Sequence, residues 1–560
     1  MNNDLSNYQA IGTKGMVTAS HPLAAHAGQI ILQNGGNAID AAIATAFALT
    51  VVDPCMCSIA GRGEINLFNA HDRKAYNVEF IAVCGERARE DLYDVLPREP
   101  GTWWNVKDDA NKIGYQSICI PTALAGLCTT HEQFGTLELS QVIHPAIVLA
   151  QQGFPVDVTL ENTIDENFEK LTRFPASAKI FCPQDRPLMR GETLVMTDYA
   201  HTLKQIAQDG PDVFYRGTLA ERIIRDIEAH DGLITQKDLE TYRANLSTPR
   251  AVRYRDFDVI SGAPDCSGGR FVLQSLNILE HFDLLALKSS PSQFIHILIE
   301  TFKRAFADRL AFEGDPHFTP VPRHGLLSKK YAHELATQIS LKSATRNIRP
   351  GNPWRYDAQP PTNILNSELP SGHNTTHLCT ADDAGNMVAL TLTLCGGYGS
   401  GVTIPGTGIL MNNGMYWFNP VPGNSNSIEP GKRHIANMAA TLVLKDSEPL
   451  LVTGSAGGRR ILTTVTEMLI NVLDFNMGVQ AVAHPRFHIE EREPIEVEQT
   501  FFHQIPLAHS VIRQLTKLGH NVTTLPSICI GCMILRDLKT NALHGMAETR
   551  QRRIGSITTF

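Results

Sequence analysis

The sequence predicts an α+β protein built in layers, with helices concentrated early and strands late. Three observations carry this expectation. Helical periodicity runs through the first two thirds of the 560 residues, period-two alternation sets in after Asn374, and a stretch from about Gln338 to Asn374 crowded with Pro, Gly, Asn and Ser separates the two textures.

The elements follow in order. From His21 to Asn34, the apolar residues Leu23, Ala27, Ile30 and Ile31 fall at helical spacing, and Gly35-Gly36 stops the run. Asn37 is placed to cap a second helix through Asp40, Ala44 and Ala48, after which comes a glycine-rich loop, Ala60-Gly-Arg-Gly63. Ser140 is expected to cap a helix carrying Val142, Ile143, Ala146, Ile147 and Ala150 and ending at Gly153; another helix spans Leu219 to Ala229. The separating stretch suits an exposed, mobile linker. Beyond it, Thr376 to Thr380 and Met387 to Leu394, joined by a turn at 382–386, read as a hairpin with Leu390, Leu392 and Leu394 on one face and Thr391 and Thr393 on the other. A second hairpin is expected from Met438–Leu444 and Pro449–Thr453, leading into Gly454-Ser-Ala-Gly-Gly458.

Composition narrows the function classes. With 43% hydrophobic residues, 19% charged and a net charge of −8, the chain has the make-up of a folded protein with a sizeable core and no bulk attraction for phosphate backbones or anionic lipid. No basic stripe with interleaved aromatics points to nucleic acid. Met1-Asn-Asn-Asp-Leu5 lacks the features of a secretory leader, and the longest apolar stretch, Ala41 to Val52, is too short to span a bilayer, so a cytoplasmic protein without a membrane partner is expected. Eleven cysteines, an odd number over a long chain, suit reduced thiols better than a disulfide framework. Cys529-Ile-Gly-Cys532 is a lone CxxC with no second pair in sequence to complete a metal site, so packed structural cysteines, no metal and no cofactor are expected.

Phosphate-loop, zincin, serine-elbow and dinucleotide fingerprints are missing, which leaves the threonines at the first hairpin. In Asn374-Thr-Thr-His377 a chain cut before Thr375 would leave a threonine at a new N-terminus held by a strand. Threonine hydroxyl is a weak nucleophile that needs a base. The free α-amine of the same residue, with a reference pKa of about 7.7–8.0, can be that base. Gly457-Gly458 offers unobstructed backbone N–H groups for a tetrahedral oxyanion. On spacing alone, a strand threonine after a loop is mostly structural and a Gly-Gly is usually just a turn.

Further stretches are more specific: Ser20-His-Pro-Leu-Ala24, Gly35-Gly-Asn-Ala-Ile-Asp-Ala-Ala42, His144-Pro-Ala-Ile147, Gly210-Pro-Asp-Val-Phe-Tyr-Arg-Gly217, Pro405-Gly-Thr-Gly-Ile-Leu-Met-Asn-Asn413 and Pro430-Gly-Lys-Arg433. Through these, together with the TTH and Gly-Gly motifs, the chain resembles the γ-glutamyltransferase family of N-terminal-nucleophile hydrolases, from about Gly15 to the C-terminus. The resemblance implies a four-layer αββα fold made jointly by two fragments of one precursor, 1–374 (large) and 375–560 (small), which form one interleaved domain after self-cleavage at Asn374–Thr375. It further implies Thr375 as nucleophile, Thr393 as its hydrogen-bonding companion, Gly457 and Gly458 as the oxyanion hole, and a small-molecule amide as substrate.

The chain departs from the family at the substrate pocket. Ile81, in Phe80-Ile-Ala82, stands where an arginine grips the γ-glutamyl α-carboxylate; Trp417 stands where an acidic residue takes the α-amine; and Gly414 replaces a polar contact. Ala436-Asn437 replaces a Ser-Ser pair, and Cys395 an asparagine. These changes predict an acyl group other than γ-glutamyl, with cephalosporin-type acylases as the nearest functional pattern. Arg62 is a candidate relocated cation or else a surface or loop-packing residue. Trp417 is a candidate pocket wall or else core. Arg87 and Arg89 read as a solvated helix face. The competing expectations are an orthodox glutathione hydrolase, an uncleaved relative without activity, and cleavage of another acyl bond.

Overall fold

The structure, a computed structural model, describes residues 9–99, 102–357, 365–370, 374–490, 492–505, 508–548 and 556–559. Two seven-stranded sheets lie at its centre. One runs in the order Ser556–Thr559, Gly15–Ala19, Asn374–Asp382, Met387–Cys395, Arg62–Asn69, Lys74–Phe80, Asn245–Ser247; the other runs Gln9–Gly12, Leu543–Ala547, Ile530–Arg536, Glu448–Ala456, Thr441–Lys445, Phe257–Ser261, Ala251–Tyr254. All these neighbours pair antiparallel. Strands from both sides of residue 374 share each sheet.

Alternation along the strands divides the apolar residues into three layers of contact. Cys379, Ala381, Met387 and Ala389 meet Leu442, Val452, Cys532 and Ile534 between the sheets. On the outer face of the first sheet, Leu378, Leu390, Leu392 and Leu394 pack on the early helices. On the outer face of the second, Val259, Val443, Leu451 and Met533 pack on the helices Ser267–Leu279, Pro291–Phe312 and Ile461–Leu473. The result is the four-layer αββα sandwich. The threonine face of the Met387–Cys395 strand points inward and is not solvated: Thr391 and Thr393 are both 1% exposed.

Local signals place most elements. Asn37 caps the helix Ala38–Val52 through a capping box with Asp40, and both hairpins form with tight turns. Three expectations are corrected. Glu138, not Ser140, caps the helix Leu139–Gln152, because Gln141 reaches back to its backbone N–H and Ser140 lies inside the first turn. Arg87 and Arg89 lie in turns, not on a helix, each paired with a nearby carboxylate. The linker is exposed, as expected, over most of 340–350, but it is packed down at its two described ends. Ile339 packs with Leu335 and Tyr331, and Ser367 and Leu369 are buried, with the Ser367 N–H donating to the Leu310 carbonyl at 2.6 Å. Residues 358–364 and 371–373, where further linker was expected, lie outside the described residues. Among the described residues no helix is long and apolar enough to cross a membrane.

Candidate active site

Thr375 opens the Asn374–Asp382 strand at a β-bulge, where the register against Met387–Cys395 shifts between Asn374 and Thr376. A bulge re-aims a side chain that strict alternation would commit to one face. Here it sets the Thr375 hydroxyl against the carbonyl of its own peptide bond, with Oγ1 donating to the Asn374 oxygen at 2.6 Å. The same oxygen accepts from Thr393 Oγ1 at 2.5 Å, and Thr393 Oγ1 in turn accepts the Cys395 N–H at 2.9 Å. With one lone pair occupied, the Thr393 hydroxyl proton is directed at that carbonyl. In the continuous chain, Thr393 therefore bonds the carbonyl preceding Thr375.

Behind the strand, Thr376 Oγ1 meets Ser20 Oγ at 2.8 Å, and Ser20 Oγ donates to Asp53 at 3.2 Å. Sequence reasoning assigned no role to Asp53 and used Ser20 only as part of a motif. Nothing in local periodicity joins residues more than 350 positions apart. On the other side, Lys170 Nζ donates to the carbonyls of Gly397 and Gly399, and burial brings its ammonium down to about 8.

Thr375, Thr376 and Ala456 share a small cavity, and the glycine pair directly follows Ala456 in the chain. Gly457 has φ +154° and no room for a Cβ, which would stand 2.3 Å from Cys529 Sγ; Gly458 has φ +64°. Both positions require glycine. Past them, Arg459 Nη1 donates to the Leu369 carbonyl at 2.8 Å, on the edge of a cleft of about 1090 Å³ that the 366–369 segment also lines.

The expected substrate residues form two groups. Arg62 pairs across the ladder with Thr393 and is 3% exposed, so it is no surface residue. Its Nε donates to Cys395 Sγ at 2.9 Å and its guanidinium lies 5.7 Å from the Trp417 ring, while Nη1 has no partner among the described residues. Trp417, 3% exposed, stacks on His434 at 6.2 Å, and Trp417 Nε1 and His434 Nε2 are also without partners among the described residues. Burial, aided by Arg62, pushes the His434 imidazole far below its ordinary value, which keeps it neutral.

The second group is closed off. Ile81 packs against Ala263, Cys266, Ala436 and Met438. Asn437 Oδ1 accepts from Arg309 Nη2 at 2.6 Å, and a Cβ on Gly414 would stand 2.7 Å from Cys119 Sγ. Nearby Arg433 is held by Asp315 and Glu79. His434 connects the groups, since it also borders the small cavity lined by Ile81 and Ala436.

Comparisons with known proteins decide the family. The family model described as Gamma-glutamyltranspeptidase matches residues 24–558. The chain belongs to the γ-glutamyltranspeptidase family. It is thus an N-terminal-nucleophile amidohydrolase of that family. Acylase ACY 1 proenzyme from Pseudomonas sp. (strain SE83) is 37% identical over 541 residues, covering 96% of this chain and 92% of the relative. Glutathione hydrolase proenzyme from Bacillus subtilis (strain 168) is 32% identical over 545 residues, covering 96% and 90%. Among solved structures, cephalosporin acylase from Bacillus halodurans superimposes with a TM-score of 0.87 at 28% identity, covering 100% of this chain and 98% of that one.

Proposed function

We propose that this family member is a self-processing threonine acyl-amide hydrolase whose donor carries a carboxylate on its acyl chain but no α-amino group. In the precursor, Thr375 Oγ1 attacks the Asn374 carbonyl carbon while Thr393 donates to the carbonyl oxygen. The peptide nitrogen leaves as the Thr375 α-amine, and water hydrolyses the resulting ester. The freed amine then takes the Thr375 hydroxyl proton during turnover, and Gly457 and Gly458 N–H groups receive the oxyanion. The leaving amine is protonated, and water releases the acyl group. The fragments 1–374 and 375–560 stay together because each contributes strands to both sheets. Eleven buried free thiols fit a reducing, cytoplasmic setting.

The observation that carries the substrate reading is Arg62: a buried guanidinium beside Thr393 with Nη1 unpartnered, next to an indole N–H in the same condition. A carboxylate placed there gains charge-assisted hydrogen bonds. Trp417 stands where the family pattern has an acidic residue, so an α-ammonium there loses that partner, and a buried polar group left unpaired costs about 1–3 kcal/mol, more when charged. The printed names of two relatives, an acylase and a cephalosporin acylase, support an acylase reading.

The test compares glutaryl-p-nitroanilide with γ-glutamyl-p-nitroanilide, which differ only in the α-amine. The expected result is at least a ~10-fold higher kcat/KM for the glutaryl compound, with a glutaryl mass increment trapped on the small chain. Equal or faster turnover of the γ-glutamyl compound would return the protein to an orthodox glutathione hydrolase.

A further inference from the structure

Cys532, half of the lone CxxC, does not pair with Cys529. It lies on the Ile530–Arg536 strand of the second sheet and faces Cys379 and His377 on the nucleophile strand of the first. Cys379 Sγ stands 3.7 Å from Cys532 Sγ and 3.5 Å from His377 Nε2, and all three donor atoms lie within 4.8 Å of one another. A tetrahedral zinc ion with Zn–S of about 2.3 Å and Zn–N of about 2.0–2.1 Å separates two sulfurs by about 3.7–3.8 Å and sulfur from nitrogen by about 3.5–3.6 Å. These two edges match those of a zinc polyhedron before any ion is placed, and the third lies within 4.8 Å.

The ring is prepared for the same task. His377 Nδ1 meets the Thr391 hydroxyl at 2.9 Å, an outer contact that orients the ring with Nε2 toward the two sulfurs and that can accept an Nδ1–H when Nε2 binds a metal. Gly454 on the opposite strand makes room for the ring: a Cβ there would stand 2.2 Å from His377 Cε1. The small cavity beside Thr375 touches both His377 and Cys532, which leaves space for a fourth ligand from solvent.

The geometry points to a thiophilic divalent metal site, zinc by preference, formed by His377 Nε2, Cys379 Sγ and Cys532 Sγ, that clasps the nucleophile strand to the facing sheet. Binding exchanges two thiol protons, released to water, for two metal–sulfur bonds, with no change of oxidation state. The ligand set of two soft thiolates and one imidazole selects zinc over magnesium or calcium.

The test uses the full chain purified under reductant, depleted with chelator and titrated with Co²⁺. The expected result is a thiolate-to-cobalt charge-transfer band that saturates near one equivalent and is abolished by Zn²⁺, with about one zinc per chain by elemental analysis. Cys379→Ala and Cys532→Ala should each lose the band, while Cys529→Ala, in the same CxxC, should keep it. The wild-type titration stands even if a variant fails to fold. No cobalt band, a band that survives both substitutions, or a Cys379–Cys532 disulfide in place of bound metal would overturn the proposal.

Discussion

The two ends of the active site are built differently. Around Thr375 the hydroxyls are committed: the bulge, the shared Asn374 carbonyl, the Cys395 N–H on Thr393 and the Thr376–Ser20–Asp53 contacts leave them little freedom. Around Arg62 and Trp417, polar atoms stand unpartnered among the described residues, and the neighbouring Ile81 packs on apolar side chains at the edge of a cavity that Glu79, Asp315 and Arg433 also line. A nucleophile tolerates little displacement, because misplacing reacting atoms by about 1 Å costs orders of magnitude in rate. Recognition of a charge is a matter of which cation sits where, and that cation can move across a pocket while the chemistry stays.

The largest effect expected at the committed end is from Thr375→Ala, which should leave a single uncut chain and lower activity by at least ~10³-fold, read by denaturing gel and p-nitroanilide release. Thr393→Val, which keeps the shape but removes the donor to the Asn374 carbonyl, should slow processing by about 10²–10³-fold, followed as the half-time of fragment appearance. If Thr393→Val processes at the wild-type rate, the contrast between the two ends fails.

At the open end, Arg62→Leu should cut kcat/KM for a carboxylate-bearing acyl amide about 10–100-fold and leave an uncharged acyl amide nearly unaffected. Equal losses on both substrates would make Arg62 a packing residue. A last effect, read in stability and not in rate, concerns how the sheets hold this end. Glu64, two residues along the strand from Arg62, accepts the Ala440 and Ala263 N–H groups from the opposite sheet, and burial raises its carboxyl to about 7. Because the folded value lies above the unfolded one, the folded state holds the proton more tightly, and stability falls as pH rises from about 4.5 to 7. The shift corresponds to about 3 kcal/mol. The urea midpoint should drop across that window in the wild type, and drop less in Glu64→Gln.

Much of this was legible in the sequence, for reasons that are local. The Asn37 capping box, the leucine and threonine alternation of the Met387–Cys395 strand and the glycine signals all act over a few residues. The bulge at Thr375 was not legible, since it arises from pairing and leaves no mark in composition. The burial of Arg62, the packing of Ser367 and Leu369, and the approach of Cys532 to Cys379 depend on two sheets closing on one another across 153 positions of chain in the last case. The change at Ile81 was visible as a substitution; that hydrophobic neighbours seal it became visible only in the fold.

The account rests on the bond between Asn374 and Thr375, and intact-mass measurement of the purified protein during incubation tests it most directly. The account predicts two species, 1–374 and 375–560, with Thr375 as the new N-terminus, and none from Thr375→Ala. A lasting 560-residue mass, or a cut at another bond, would contradict it.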